Sequence, residues 1–426
     1  MTNTQLAQYQ TDVLFLLIGF NPLPNYVAGV LLTKPKSTVY LLYSDDKNRR
    51  ENSLKVANMV SKALRNKKKK DGQEITIWPI SVDESKKKEI EKKVREILTH
   101  AKFPGGRVGL NYTGGTKPMA THAYRTIERF AVEKNLEKPI FSYLDPRELA
   151  LRIEVGDLSE MVRVIHHPAV CLSLGELLEI HAAEYKKDEN KPDIHQSELA
   201  ATLATVHNTK DGFKFWKDWL KEVKKNGNGL EELQSSSNQA VRQAGQILHD
   251  LCGGQPCLQV AAEKLKLSQG YFLGWLDGNW LEDYAFEALA YAMRGILGQQ
   301  IALRSYLDKN LLVTQDVMKQ SPSRRLELDL AAVLGYQFFV ISCKAQALDN
   351  KDAKLSLFEA YVRATQLGGD EARTALVCCS HDPTAVEREL SEEWDAADKI
   401  KVFGMEHLMN LKAEFKTWLE TANKRR

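Results

Sequence analysis

The sequence predicts an α/β protein in which a helical connector joins two α/β domains. Three observations support this: the first 155 residues alternate strands with helices, a polar helical stretch follows, and a helix–strand–strand–helix–strand order closes the chain. Alternation of strands and helices is typical of a doubly wound parallel sheet. We therefore expect domains at residues 1–155, 156–275 and 276–426.

The elements of the first domain follow from the spacing of apolar residues and from turn signals. Strands are expected at 12–18, 38–43, 74–80, 107–110, 140–144 and 149–155, and helices at 25–32, 49–65, 84–100 and 119–133. The last strand alternates apolar and polar residues, as an edge hairpin strand does. In such a sheet ligands bind beyond the carboxyl ends of the strands, where the loops gather.

The connector and the last domain have different patterns. Residues 175–184, 213–225 and 235–251 predict connector helices, and the tryptophans of this region are expected to pack in a core: Trp216, Trp219, Trp275 and Trp280. The last domain is expected to contain a helix at 280–297, strands at 325–334 and 336–342 around a turn at Gly335, a helix at 355–367 and a strand at 373–379.

Composition excludes several classes of protein. Hydrophobic residues make up 43% and charged residues 27%, which is typical of a globular domain, and the net charge of +3 does not by itself indicate nucleic-acid binding. Six scattered cysteines do not resemble a disulfide framework. The longest apolar runs fall far short of the ~20 residues that span a bilayer. We therefore expect a cytoplasmic protein without a membrane segment.

The loop Asn111–Lys117 stands directly after a strand and directly before a helix. Its two glycines allow a tight backbone with exposed N–H groups, and the helix N-terminus adds the positive end of its dipole. Two threonine hydroxyls and the positive charge of Lys117 could bind the same anionic group as these N–H groups. The spacing is not that of an ATP-hydrolysing phosphate loop. The loop is expected to bind a phosphate-containing ligand, and a plain glycine-rich turn is the alternative.

Two further loops are expected on the same rim of the sheet. Gly19–Asn25 follows the first strand and offers Asn21 and Asn25, whose amides can hydrogen-bond a base or a ribose. The same loop also suits a helix start with proline in its first turn. Ser44-Asp45-Asp46, after the second strand, is a third candidate.

Gly19–Asn25 together with Asn111-Tyr112-Thr113-Gly114-Gly115-Thr116-Lys117-Pro118-Met119-Ala120 resembles the CARF sensor domain. The resemblance covers the first 155 residues. It implies a Rossmann-like fold, a homodimer, and a cyclic oligoadenylate, such as cyclic tetra-adenylate, bound across the two-fold axis. It also implies that each subunit contributes all or some of these ligand-binding residues: Asn21, Asn25, Thr113, Gly114, Gly115, Thr116 and Lys117.

A second group of residues suggests metal chemistry in the last domain. Glu282 stands on its opening helix, Asp329 within a strand and Lys344 after the next strand. Two carboxylates can hold a divalent cation that activates water, and a lysine can position that water or stabilise the phosphorus under attack. The alternative is that all three are surface or strand-edge charges.

This second group resembles the PD-(D/E)XK nuclease fold, in the version fused to CARF sensors in type III CRISPR effectors. Trp280-Leu281-Glu282, Glu327-Leu328-Asp329 and Cys343-Lys344 match its helix start, its metal-binding strand and its lysine-bearing strand. The resemblance implies Mg²⁺ or Mn²⁺ on Glu282 and Asp329, and a catalytic Lys344. One departure is Ser342, where the family usually has an acidic residue. Glu327 or Glu359 could replace it, or metal affinity could be lower.

The resulting hypothesis is a homodimeric nuclease for DNA, RNA or both in antiviral CRISPR defence, inert until a cyclic oligoadenylate binds. A ligand-responsive transcription regulator without catalysis is the second interpretation. Residues 258–276 resemble a helix-turn-helix in their pattern, although the second helix is not notably basic. In a third interpretation, the sensor degrades its own cyclic ligand.

Overall fold

The computed structural model describes residues 6–44, 53–100, 106–226, 229–315, 326–346, 350–394, 396 and 398–425. Within them the chain forms two mixed sheets, one of seven strands and one of six, with helices on their faces. The expected α/β fold class, a Rossmann-like first domain followed by a second α/β domain, is confirmed. No helix of these residues is both long enough and apolar enough to cross a membrane.

The strands, in chain order, are β1 Thr11–Leu17, β2 Thr33–Ser44, β3 Thr76–Val82, β4 Val108–Asn111, β5 Ile140–Asp145, β6 Ala150–Val155, β7 Leu158–Arg163, β8 Ala183–Lys187, β9 Leu307–Gln315, β10 Leu326–Leu334, β11 Gln337–Lys344, β12 Arg373–Cys378 and β13 Ile400–Phe403. The helices are α1 Leu23–Leu32, α2 Leu54–Lys70, α3 Lys87–His100, α4 Lys117–Glu133, α5 Leu174–Ile180, α6 Ser197–Val206, α7 Lys210–Asn226, α8 Leu230–Gln234, α9 Gln239–Leu251, α10 Leu258–Lys264, α11 Gln269–Gly274, α12 Trp280–Leu297, α13 Asn350–Gly368, α14 Pro383–Trp394, α15 Met405–Leu408 and α16 Leu411–Ala422. A π-helical turn, Trp275–Asn279, leads into α12.

The first sheet has the strand order β3-β2-β1-β4-β5-β6-β7. The first five strands run parallel, and β6 and β7 add an antiparallel edge. Chain order reverses between β1 and β4, which lie side by side with Leu16 opposite Asn111. The loops that follow these two strands therefore open at the switch point of the sheet, where doubly wound folds bind ligands.

The second sheet has the order β13-β12-β11-β10-β9-β8. Strands β8 to β11 are antiparallel, and β12 and β13 continue parallel to β11. The expected turn at Gly335 is confirmed: its φ is +65°, and a side chain there would meet the Ile165 carbonyl. This hairpin places Asp329 and Lys344 on neighbouring strands.

Elements of the segment expected as a connector, 156–275, pair or pack with both sheets. Strand β7 joins the first sheet, and β8 forms an edge of the second. Helices α6 to α11 share one core with α12 and the second sheet, and this core contains the tryptophans expected to be buried: Trp216, Trp219, Trp275 and Trp280. Each of these helices has an apolar face that is buried only when the helix packs against this shared core. The helices therefore do not form a separate layer.

The two domains also share a hydrophobic core. Leu14 of β1 and Val27 of α1 belong to the same buried cluster as Phe338 of β11 and Ala364 of α13. The opposite face of the first sheet is covered by α3 and α4 in a cluster of its own. The inner face of the first domain is therefore completed by side chains of the second.

Candidate functional site

The loop after β4 is built by close backbone packing. A Cβ atom on Gly114 would lie 2.3 Å from the Leu17 carbonyl oxygen and 2.7 Å from the Gly19 nitrogen, so only glycine fits. Gly115 has a φ of +74°, which also favours glycine. Thr116 caps α4 by accepting a hydrogen bond from the Met119 amide at 3.4 Å. The predicted tight loop before a helix is thus present and lies against the end of β1.

A cavity of about 860 Å³ opens beside this loop. Four of the predicted ligand-binding residues line it: Asn21, Thr113, Gly114 and Gly115. Phe20, on the same rim, is 71% exposed. The first domain also contributes Gly19, Pro24, Leu144 and Pro146, and the opposite wall comes from outside residues 1–155: His181, Tyr361, Val362, Thr365, Gln366, Gly369, Asp370 and Glu371. The second domain therefore closes the crevice that the first domain opens.

Three predicted ligand-binding residues do not line the cavity. Asn25 is fully buried, and its Nδ2 donates to the Leu17 carbonyl at 2.9 Å, so it supports the loop from beneath. The Thr116 hydroxyl is used as the helix cap, and Lys117 is exposed. Asp45 and Asp46, from the third candidate loop, lie outside the described residues.

Two groups that sequence reasoning missed stand in the cavity wall. Glu371 is 1% exposed, and burial raises its pKa to about 7. The nearly buried His181 has its pKa lowered to about 4 by burial, so its ring is neutral at pH 7. Its Nδ1 bonds to the Leu177 carbonyl at 3.0 Å, and its Nε2 has no hydrogen-bond partner within the described part of the chain. Neither residue belongs to a recognisable sequence motif.

Glu282, Asp329 and Lys344 all line a second cavity, of about 410 Å³. Glu282 stands in the first turn of α12, just after the π-helical turn. Asp329 belongs to β10, and its Oδ2 accepts hydrogen bonds from the Ser342 hydroxyl at 3.0 Å and the Cys343 amide at 2.8 Å. Lys344 Nζ lies 3.8 Å from the same oxygen. The antiparallel pairing of β10 and β11 fixes this arrangement.

The donor set suits a hard divalent cation bound by few protein ligands. Burial raises the pKa of Glu282 to about 7, and the negative charge of Asp329 adds to the rise, so a bound cation would relieve both costs. Among the described residues, no three His, Cys, Asp or Glu side chains form a group able to hold a metal. Two carboxylates with water are nonetheless a usual set for Mg²⁺.

Further charged residues line this cavity. Glu327 and Glu359, the residues considered as substitutes for the acidic group absent at Ser342, both belong to its wall, as do Arg363 and Lys191. Lys191 comes from the loop between β8 and α6, and nothing in the local sequence signalled its place. Its Nζ lies 2.5 Å from Glu327 Oε1 and 3.4 Å from Glu282 Oε1.

Helix α13 forms part of both cavity walls. Tyr361, Val362, Thr365 and Gln366 line the first cavity, and Ser356, Glu359, Ala360 and Arg363 line the second. Arg363 pairs with Glu359 and donates to the Glu327 carbonyl of β10. A shift of α13 would therefore move residues in the walls of both cavities.

No protein-family model matches the sequence, and no curated protein matches it. Solved structures do match. Protein VC1899 from Vibrio cholerae aligns over 96% of this chain and 98% of its own, at 15% identity and a TM-score of 0.61. Can2 from Sulfobacillus thermosulfidooxidans, solved with cyclic tetra-adenylate, aligns over 98% and 99%, at 18% identity and a TM-score of 0.63.

A type III CRISPR defence DNA nuclease activated by cyclic oligoadenylate aligns over 86% of this chain and 45% of its own, at 16% identity and a TM-score of 0.44. The alignments with VC1899 and Can2 run almost end to end. The resemblance to a CARF sensor joined to a nuclease-like α/β domain is therefore confirmed as a resemblance of fold, and this chain shares its overall fold with VC1899 and Can2.

Proposed function

We propose that the protein is a metal-dependent nuclease that a cyclic oligoadenylate switches on. The observation that carries the proposal is the convergence of Glu282, Asp329 and Lys344, distant in sequence, on one cavity. Two carboxylates can hold a divalent cation for phosphodiester hydrolysis, and a lysine beside them can stabilise charge that develops on the phosphate. The substrate is DNA, RNA or both, and the setting is antiviral CRISPR defence.

The residues that converge on the second cavity divide the proposed chemistry among them. Glu282 and Asp329 would hold Mg²⁺ or Mn²⁺, helped by the Ile341 carbonyl, and the metal would supply a Lewis acid for the scissile phosphate. Hydrogen bonds from Ser342 and Cys343 hold the Asp329 carboxylate in one orientation. Lys344 orients the attacking water and offsets charge that develops on the phosphate.

The first cavity is the proposed ligand site. Can2 binds cyclic tetra-adenylate and has the same fold, which supports that ring as the ligand here. Thr113, Gly114 and Gly115 supply a backbone cradle for phosphates, and Asn21 contributes its amide. Asn25 and Thr116 support the loop, and Lys117 adds long-range positive charge. A ring with several phosphates needs two facing cradles, so we propose that the active form is a homodimer.

Cleavage assays test the proposal directly. Purified full-length protein is incubated with Mn²⁺ and labelled single- and double-stranded DNA and RNA, with and without cyclic tetra-adenylate. We expect cleavage only with the ligand, and its loss in Lys344→Ala and Asp329→Asn. Lys416→Ala, at an exposed site on α16, serves as the control. No cleavage with any cyclic oligoadenylate, or unchanged cleavage by Lys344→Ala, would disprove nuclease function.

A further inference from the structure

Lys191 lies between the carboxylates of the second cavity. Its Nζ lies 3.4 and 3.5 Å from the two oxygens of Glu282 and 2.5 Å from Glu327 Oε1. The Lys191 side chain is 21% exposed and that of Glu282 is 10% exposed. An ammonium group in contact with both oxygens of a nearly buried carboxylate already offsets the negative charge that would attract a metal ion.

The Lys191 ammonium group is placed among carboxylates. It contacts Glu282 and Glu327, and Asp329 lines the same cavity. A divalent cation on Glu282 and Asp329 would replace this attraction with repulsion at short range. Lys191 and the metal are therefore competitors for the same negative charge.

The segment that carries Lys191 also reaches the first cavity. His181 lines that cavity, β8 follows it directly, and the loop after β8 delivers Lys191 to the second cavity. The loop is held at its ends: the Asp188 amide donates to the Asn310 carbonyl at 2.8 Å, and Asp193 pairs with Lys187 and Lys309. One short stretch of chain thus contacts the proposed ligand site and the proposed metal site.

We propose that Lys191 is a built-in counter-cation that occupies the nuclease carboxylates in the resting protein, and that ligand in the first cavity favours its withdrawal and admits the divalent metal. The inference rests on the proposed nuclease and ligand sites and adds the means of their regulation. Because coupling between two binding sites is reciprocal, metal must also tighten ligand binding by the same factor.

Metal binding without any nucleic acid tests the inference. Binding of Mn²⁺ to the full-length protein is measured by electron paramagnetic resonance, with and without cyclic tetra-adenylate. In the wild type we expect the ligand to increase Mn²⁺ affinity by about tenfold or more. In Lys191→Met we expect tight binding that the ligand no longer changes, because the competing charge is gone. Lys186→Met, an exposed lysine of β8, should behave as the wild type.

A second variant and a melting curve show whether the substituted proteins are folded. Removal of Lys191 leaves Glu282 and Glu327 without their partner, so Lys191→Met and the milder Lys191→Gln should melt below the wild type without metal and regain stability with Mn²⁺. Equal Mn²⁺ affinity in wild type and both folded variants would overturn the inference and leave the nuclease proposal standing. Unchanged Mn²⁺ binding in Asp329→Asn would instead refute the proposed metal site, and the inference with it.

Discussion

Asn21 Nδ2 donates a hydrogen bond to Glu371 Oε2 at 3.2 Å, while Asn21 Oδ1 accepts one from the Leu23 amide at 3.1 Å. One side chain thus ties the loop after β1 to the loop after α13. Both residues line the first cavity, and α13 continues to the second. A ligand that engages the Asn21 amide must compete with Glu371, which connects ligand binding to the helix beside the carboxylates.

Asn21→Ala should destabilise the protein and weaken its response to ligand. The buried Glu371 carboxyl loses a donor, which costs about 1–3 kcal/mol in the free energy of unfolding. Ligand-stimulated cleavage should fall more than Mn²⁺ binding, because the metal ligands are untouched. Chemical denaturation and cleavage assays measure the two effects. Asn66→Ala, at an exposed asparagine on α2 outside both cavities, is the matched control, and equal stimulation in both variants would contradict the prediction.

Glu371 should make stability depend on pH. Its pKa is raised from the usual 4.5 to about 7 by burial; the neighbouring Asp370 adds to the rise, whereas Asn21 and Arg373 oppose it. Between these values the folded protein keeps a proton that the unfolded chain loses, so this contribution to stability is complete below pH 4.5 and is lost as pH rises to about 7.

Glu371→Gln removes this titration but keeps an acceptor for Asn21. The fall in melting temperature from about pH 5 to about pH 7.5 should therefore be smaller in the variant than in the wild type. The comparison is made between the two proteins because Glu282, whose pKa is also raised, contributes equally to both. Identical pH profiles would show that Glu371 is ionised throughout this range.

Gly114→Ala should abolish ligand binding and lower stability by about 1–3 kcal/mol, because its methyl group would collide with backbone atoms of Leu17 and Gly19. Gly270→Ala is the control, since a side chain there meets no atom of the described residues within 4 Å. Calorimetric titration with cyclic tetra-adenylate measures the loss. Mn²⁺ binding at the distant carboxylates should persist, and a Gly114→Ala protein that still binds the ring would argue against the cradle.

Phe20→Ala should weaken ligand binding without a cost in stability. The ring is 71% exposed on the rim of the first cavity, where an adenine can stack on it. Loss of one stacked base costs about 1–3 kcal/mol, or roughly tenfold or more in affinity. Trp78→Ala removes another exposed aromatic side chain of the same domain, away from the cavity, and should leave affinity unchanged. A melting curve for each variant completes the comparison.

Ser342→Asp should raise Mn²⁺ affinity by about tenfold, because a carboxylate is a much better ligand for a hard cation than a hydroxyl group. Without metal the new charge would face Asp329, which the Ser342 hydroxyl now contacts at 3.0 Å, and the variant should melt at a lower temperature. Mn²⁺ should reverse that loss. Ser356→Asp adds the same charge on another wall of the cavity and controls for charge alone.

Local sequence was sufficient to predict those elements whose residues are buried along their whole length. The apolar β1 and the glycines after β4 placed the first cavity, and the spacing of Asp329 and Lys344 around Gly335 placed the second. Polar edge strands such as β7 and β8 were missed, because their side chains are largely exposed and lack the alternation that predicts a strand. Lys191, His181 and Glu371 were missed for another reason: their roles arise only from contacts between distant segments.

The core shared by the two domains has a consequence for how such proteins diversify. Phe338, Val340 and Leu367 complete the burial of side chains from the first domain, so a first domain excised near residue 155 would expose an apolar surface to water. Recombination that joined this domain to a different partner domain would require a matching apolar face on the new partner. We therefore expect the two domains to diverge by paired changes in the core that they share.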